Sequence, residues 1–549
     1  MTLNRRDALR LMGSSAALTL PTIGHAAPAN ARFLHGVASG DPAADGAVLW
    51  TRATPAAGST GDIPLDWHVA ASSAGTAIAT GRTTARAARD FTAKVEPTGL
   101  TPGTEYWFWF TTADGTASPR GRFRTLPRGS VADVALAVVS CQLYPGGYWH
   151  AYTAIAAEPR LDAVLHLGDY IYEYGAEGYG AEIGRKLNRL PEPAHEIVTL
   201  ADYRMRHAQT KRDPAMQAAH ARAAFICVWD DHESANDSWV GGAENHDPAT
   251  EGDWGARKAA AMQAYFEWMP IRDPVPGQPW EAINRSFDFG DLATLVMVET
   301  RLLARAQQAA PKGAGIEPED YATMMAIRAR PDRELLGPKQ QAWVEAELAR
   351  SVAAKRPWQL LGNQVVMARV PGPDLATEMG AERYAAMLNG LPAAYAPRIA
   401  AAQRSYRAGL PMNFDSWDGY PAARERLYAA FRRAGSRPIV LSGDSHAGWA
   451  NDLHDDAGRL VANEFGATAI SSPSYGSLLP GLGKVIEKGA PEVRYCDQDR
   501  KGYLLLTLTR EQAEAQFRTV SSVTTPEFTT ATTARWRVAA GKPGPLVQG

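Results

Sequence analysis

The chain has 549 residues, 45% of them hydrophobic, with a formal charge of -2 and three cysteines. That length exceeds one small domain and leaves ample apolar chain for a core, while the near-neutral charge supplies no basic field for nucleic acid, so no obligate nucleic-acid partner is expected. Three thiols, Cys141, Cys227 and Cys496, make no disulfide framework, and the odd one points to a cysteine with a chemical role.

Taken from the start, Asn4-Arg5-Arg6-Asp7-Ala8-Leu9 is a twin-arginine opening before an apolar stretch over residues 11–23, and Gly24-His25-Ala26 offers a small-x-small cleavage step. Residues 1–27 are therefore expected to be a twin-arginine signal peptide. The twin-arginine export machinery would be its partner, and the mature protein would be periplasmic or secreted. Such export carries folded cargo, which suits a protein that loads metal before it crosses the membrane. The apolar stretch contains Pro21 and is too short to span a bilayer, and no later segment is long and apolar enough, so no transmembrane segment is expected in the mature protein.

Residues 28–126 hold short β-prone runs at 48–50, 66–69, 91–95 and 106–110, separated by Gly, Pro and Asp, which predicts an N-terminal β-sandwich. Its stretch 99–108 resembles a fibronectin-type corner, in which Tyr106 bonds back to the preceding turn. After a turn-rich linker the pattern changes. From 131 to 549, apolar runs alternate with Ala-rich helical segments, the signature of an α/β domain. Strands are predicted at 134–139, 161–167, 224–229, 293–298, 358–361 and 438–441, and helices at 339–354 and 422–434, the latter stopped by Gly435. The segments 175–211 and 241–252 read either as loops over a site or as solvated insertions, and the chain beyond Tyr503 gives no clear pattern.

Nearly every predicted strand runs into ligand-type residues, SCQ, GDYIYE, DDHE, ETR, GNQ and SGDSH, and α/β sheets bind ligands beyond their strands' carboxyl ends. Hard cations take carboxylate, amide and carbonyl oxygens, whereas thiolate and phenolate suit a softer or ferric centre, and this chain offers both kinds. Asp169 and Tyr172 lie three residues apart in one turn. Asp230, Asp231, His232 and Glu233 crowd acids together at a cost that a cation or a hydrogen-bond network must offset. Asp444 and His446 alternate along an extended segment, which puts both on one side. Each of these alone would pass for a cap, a half-buried aromatic or a solvated loop; their repetition at strand ends favours metal. Asn236 and Asn363 are further candidate oxygen ligands, or else satisfy turns. Arg301 reads equally as a bidentate clamp on a phosphate oxygen or as a salt-bridged arginine, Arg257 is a weaker clamp candidate, and Cys227 reads as a packed core thiol.

FLHGVASGDP, VLWTR, SCQ, GDYIYE, WDDHESAND, AENHD, ETR, LLGNQ and SGDSHAG together resemble the PhoD-like alkaline phosphatases and phosphodiesterases, a branch of the calcineurin-like metallophosphoesterases. The resemblance spans most of the chain and implies stacked sheets flanked by helices, with one ferric ion and calcium rather than two zinc ions. Cys141 stands where the superfamily's DxH aspartate would be and would bind iron as thiolate; Asp169 would bridge, Tyr172 would bind iron through its phenolate, and His446 would complete the iron side. Asp231 and Asp444 would take calcium, with Asp230, Asn236 and Asn363 as further metal ligands. His232 would assist the leaving group. The implied reaction is hydrolysis of phosphate mono- or diesters by metal-bound hydroxide. Two other readings stay open here: a thiol hydrolase with Cys141 as nucleophile and His232 as base, and a non-catalytic, calcium-dependent surface binder.

Overall fold

The computed structural model describes residues 31–55, 60–309, 317–391, 395–541 and 544–549. The expected signal peptide lies outside the described residues. The described strands form three sheets. The largest has ten, in the order Val547–Gln548, Thr530–Ala539, Gln512–Val520, Lys501–Thr509, Asp133–Val139, Ala163–His166, Ala224–Cys227, Val37–Ala43, Gly46–Arg52 and Thr92–Val95. A seven-stranded sheet is built around Ala293–Met297, Trp358–Gly362 and Ile439–Ser442, which pair in parallel. The six strands predicted in the α/β region are all present within a few residues of their expected limits.

Side-chain alternation stacks the two sheets. In Ala293–Met297 and Trp358–Gly362, Leu295, Met297 and Leu360 enter one core with Leu136, Leu165 and Phe225 of the first sheet. Their neighbours Val296 and Leu361 turn the other way, onto Val344 and Leu348 of the helix Gly337–Ala353 and Leu427 and Phe431 of the helix Pro421–Arg433. A strand buried on both faces must be apolar throughout, which is why these runs show no polar alternation. No described helix is long and apolar enough to cross a membrane.

The N-terminal strands form a sandwich that is not self-contained. Ile63–Ala70, Ala79–Ala85, Glu105–Thr112 and Gly121–Arg124 make a four-stranded sheet, and Phe108, Phe110 and Phe123 pack on Val37, Ala47 and Leu49. Those last residues belong to strands of the ten-stranded sheet, joined to its parallel core where Gly40 pairs with Phe225. The expected corner is present: the Tyr106 hydroxyl accepts from the Thr101 amide at 3.0 Å. The chain beyond Tyr503 completes the other flank of the large sheet. Gln512–Val520 buries Ala513, Ala515 and Phe517 on alternate positions, a period-2 pattern weakened by its small alanines.

A lysine is enclosed in this core. Lys211, 1% exposed, sets its Nζ 3.1 Å from His220 Nε2 and over the rings of Trp50 at 4.6 Å and Tyr170 at 5.3 Å. Among the described residues no carboxylate is within ion-pair distance of it. Burial pushes its pKa down from 10.5 to about 7. Between those values the unfolded chain binds the extra proton, so native stability rises with pH, by up to about 1.4 kcal/mol per unit, and is flat below the folded pKa. Lys211→Met is expected to be more stable than the parent by several kcal/mol near pH 7, with the gap closing towards pH 10; denaturant unfolding across that range checks it, and a gap independent of pH would contradict a neutral buried lysine.

Candidate metal centre

The site is assembled where the carboxyl ends of parallel strands from both large sheets meet. From the first sheet, Asp133–Val139 leads to Cys141, Ala163–His166 to Asp169, and Ala224–Cys227 to Asp230 and Asp231; from the second, Ile439–Ser442 leads to Asp444 and His446. The approach is close enough to require glycine twice. A Cβ on Gly168, at φ +110°, would lie 2.3 Å from Asp230 Cβ, and one on Gly443 would lie 2.7 Å from Ser140 Cβ. Cys141, Asp169, Asp237, Asp444 and His446 all adopt left-handed backbone, with φ between 50° and 61°. Each costs on the order of 1 kcal/mol or more and persists because the surroundings over-determine it.

Two kinds of donor cluster result. Cys141, Asp169 and His446 bring one sulfur, oxygen and nitrogen donor each within 4.8 Å of one another. Tyr172 joins them, its hydroxyl donating to Asp169 Oδ2 at 3.0 Å and lying 3.3 Å from His446 Nε2. The second kind is all oxygen: Asp230, Asp231 and Asp444 form one group, and Asp231, Asp237 and Asp415 another. Asp169 and Asp231 also fall in a common group with His232, so the two ends are contiguous.

Supporting groups set each donor. His446 Nδ1 donates to the Pro473 carbonyl at 2.6 Å, which fixes the tautomer and turns the Nε2 lone pair towards Cys141 and Asp169. Burial and Lys501 hold its pKa down at about 3, so the ring is neutral. Glu233 accepts from the amides of Asp169 at 3.0 Å, Tyr170 at 2.5 Å and Asp230 at 2.8 Å, tying the two ligand loops together. Arg206 donates to the carbonyls of Tyr172 and Tyr174, latching the loop from the other side.

His232 is in the opposite state. Its Nδ1 is 2.7 Å from Glu173 Oε2, and Glu173 is itself held by the Asn236 amide and the Asn245 side chain, each at 2.7 Å. Burial alone would depress the imidazole, but Glu173, Asp231 and Asp169 together raise it well above its ordinary range. For Asp231, burial acts upward, and Arg301 and His232 bring the carboxyl below the usual range. Burial lifts Asp444 to about 7 despite Arg301, with Asp415 and Asp231 adding to the rise.

Four expected ligands or clamps have other partners. Arg301 is fully buried and directs its guanidinium at acids: Nε to Asp230, Nη1 to Asp415 at 2.6 Å and Nη2 to Asp444 at 3.0 Å. Of its two readings the geometry supplies the salt-bridged one. Asn363 spends its side chain within the fold, donating to the Val365 carbonyl and accepting from Trp417 Nε1 at 3.1 Å. Asn236 points its Nδ2 at Glu244, 3.3 Å away, and serves the site through its backbone. Arg257 is committed to Glu196 and Glu251, each at 2.8 Å. Cys227 is the buried core thiol expected.

Asp237, Asp415 and Glu173 were not singled out by the sequence patterns, and Glu233 was read only as one of the crowded acids of DDHE. Glu173 and Glu233 end the GDYIYE and DDHE motifs, and Asp237 ends WDDHESAND, so their proximity to ligands was visible though their roles were not. Asp415 follows a helix and a turn rather than a strand. Both undecided segments reach the site: 175–211 lays Tyr179 against His446, with rings 6.2 Å apart and 14° from parallel, and 241–252 supplies Asn245.

The donor chemistry fits metal ions. Asp169 Oδ1 and Asp230 Oδ2 are buried without a hydrogen-bond partner, although their carboxylates sit among other acids. Unpaired buried carboxylate oxygens in such company are costly unless a cation receives them. The thiol reading fits poorly, because burial and Asp169 push Cys141 well above the ordinary thiol range and its side-chain hydrogen-bond partner among the described residues is Ser140 Oγ at 3.2 Å.

Comparison with known proteins places the architecture. Residues 136–517 match the PhoD-like phosphatase family, and residues 17–127 match the PhoD-like phosphatase N-terminal domain. Alkaline phosphatase D of Bacillus subtilis (strain 168) is 33% identical over 550 residues, covering 96% of this chain and 86% of its own. A solved structure of PhoD superposes with a TM-score of 0.78 at 31% identity, covering 94% of this chain and 92% of that one. With the stacked sheets and the converging carboxylates, these matches establish that the chain belongs to the PhoD-like phosphatase family and is a phosphoric ester hydrolase.

Proposed function

We propose that the chain is an exported, metal-dependent alkaline phosphatase and phosphodiesterase that hydrolyses phosphate mono- or diesters, with ferric iron held by Cys141, Asp169, Tyr172 and His446 and calcium among the aspartates. The observation that carries the reading is the two-ended donor set, sulfur, phenol and imidazole at one end and carboxylates at the other, meeting at Asp169 and Asp231. Oxygen-only ligation suits calcium, and thiolate with phenolate suits iron. When bound, such a metal pair lowers the pKa of a water molecule and offsets charge on the phosphoryl oxygens. Residues 1–27 are proposed to direct twin-arginine export to the periplasm or beyond.

The chain's own residues supply the rest. Asp169 and Asp231 bound the space between the two clusters and orient whatever binds there. His232 reaches the same space; with Nδ1 held by Glu173, Nε2 is the nitrogen available to give a proton to the departing alkoxide. Tyr172, its ring 4.2 Å from that of His232, closes one side against water. Glu173 never meets the ester on this account, and acts by orienting His232 and keeping it protonated.

Chelation with EDTA or an iron chelator is expected to abolish hydrolysis of p-nitrophenyl phosphate and its bis ester, ferric iron and calcium to restore it, and thiol alkylation to leave the loaded enzyme active. Cys141→Ser should lose iron, the iron charge-transfer colour and most activity; full activity with unchanged iron content would overturn the ligand assignment. Glu173→Gln is expected to lower kcat by roughly 10- to 100-fold. Because Glu173 raises the imidazole pKa, its removal should move the alkaline limb of the kcat profile to lower pH, and an unmoved limb would deny His232 the role of acid.

A further inference from the structure

Tyr475 is 62% exposed, the most exposed aromatic side chain among the large exposed hydrophobic residues described. Its position is not that of a casual surface residue. It opens the short turn Tyr475–Ser477, two residues beyond the Pro473 carbonyl that orients His446. The turn is fixed on several sides: Ser474 Oγ donates to the Gln498 carbonyl, Lys501 Nζ donates to Ser474 Oγ at 2.8 Å, and the amides of Leu478 and Leu479 close on the Tyr475 carbonyl at 3.0 and 2.8 Å. A Cβ on Gly476 would lie 2.3 Å from the Gln498 carbonyl, so the backbone is seated flush. A rigid mount thus presents an aromatic ring that gains little burial of its own.

The turn that carries the ring adjoins the metal centre: the Pro473 carbonyl, two residues before Tyr475, accepts from His446 Nδ1 at 2.6 Å and from the Tyr179 hydroxyl at 2.8 Å. Asp237 and Asp444, both members of the acidic clusters, act on the Tyr475 hydroxyl from the same side. Tyr179, which lies against His446, feels Tyr475 and Tyr395 in turn, and Tyr395 is itself 41% exposed. Tyr174 extends the wall, 6.0 Å from Tyr179 and 5.4 Å from His232. The side of the site next to His446 is therefore lined with aromatic rings, alongside Lys501, whose Nζ is held by the His446 carbonyl at 3.2 Å and by Ser474 Oγ. Such a surface holds an organic group through its flat face, by stacking on another π-system or on the C–H face of a sugar ring.

Resting on the phosphoesterase reading above, we propose that Tyr475 determines specificity by stacking a ring borne on the ester's organic group, so that aryl, nucleoside or glycosyl phosphates are preferred to short acyclic ones. In the loaded enzyme, Tyr475→Ala is expected to raise KM for p-nitrophenyl phosphate by roughly 5- to 100-fold, with kcat and the KM for glycerol 2-phosphate changed by less than about twofold. Tyr475→Phe, which keeps the ring, should behave as the parent. A second measurement needs no turnover: calorimetric binding of phenylphosphonate should weaken in Tyr475→Ala while that of methylphosphonate does not. Equal effects on ring-bearing and acyclic ligands, or none on either, would overturn the assignment. If neither ester is hydrolysed by the parent but the phosphonate discrimination holds, the stacking role stands and the phosphoesterase reading falls.

Discussion

Six aspartates, Asp169, Asp230, Asp231, Asp237, Asp415 and Asp444, converge at the meeting of the two large sheets, and the rest of the site is built to tolerate them. At the separations within these groups, each pair of carboxylates repels by about 3 to 4 kcal/mol at an effective dielectric constant near 20. Arg301 offsets part of this by addressing Asp230, Asp415 and Asp444 at once, and Arg305 adds a second guanidinium on Asp415. Two arginines and one protonated histidine do not balance six acids. Burial resolves the remainder by lifting the carboxyls of Asp169, Asp230 and Asp444, which is where a multivalent cation would have the most to gain.

Holding that arrangement consumes backbone amides and strain rather than apolar area. Glu233 collects three amides from two loops, and Asp231 Oδ2 takes the Asp237 amide at 2.6 Å, so the loops that carry the donors are crosslinked by the protein's own hydrogen bonds. The left-handed residues fall at the candidate ligands: Cys141, Asp169, Asp444 and His446 each bend the chain shortly after a strand, which brings four side chains into the site from three strand ends. Gly443 lets the two sheets approach closely enough for those side chains to converge, and Gly168 lets the loops after two neighbouring strands of the first sheet do so. The apolar core between the sheets supplies the rigidity against which these costs are borne.

The strands and the donor residues at their ends were legible because both signals are local. An apolar run is read over five residues, and the acid or thiol after it is two or three positions on. What escaped was non-local. Asp415 reaches the acidic cluster only through the fold, and nothing in NFDSWDG separates it from a turn residue. Asn363 follows a strand as the ligands do, yet its amide is taken by Trp417 and Val365, contacts that no spacing rule reveals. Arg301 carried two readings in sequence because a guanidinium suits phosphate and carboxylate alike, and its neighbours decide between them. The N-terminal runs looked self-contained because a sequence shows turns and strands but not that Gly40 pairs with Phe225. The C-terminal strands were obscured by alanine and threonine, which fill a pleated face without a strong hydropathic rhythm.

On the proposed reading, His232 and His446 take two tasks within a single cavity. Both are enclosed, so desolvation disfavours the charged form of each. Beside His232 stand Glu173, Asp231 and Asp169, and their combined field outweighs that penalty and keeps the ring protonated. His446 has a carbonyl at Nδ1 and the Lys501 ammonium nearby, so its ring stays neutral with the Nε2 lone pair exposed to the cluster. An imidazole that gives a proton and one that gives an electron pair need opposite surroundings. Placing carboxylates behind one and a peptide carbonyl behind the other achieves this within the reach of Tyr172, whose ring lies against His232 and whose hydroxyl lies 3.3 Å from His446.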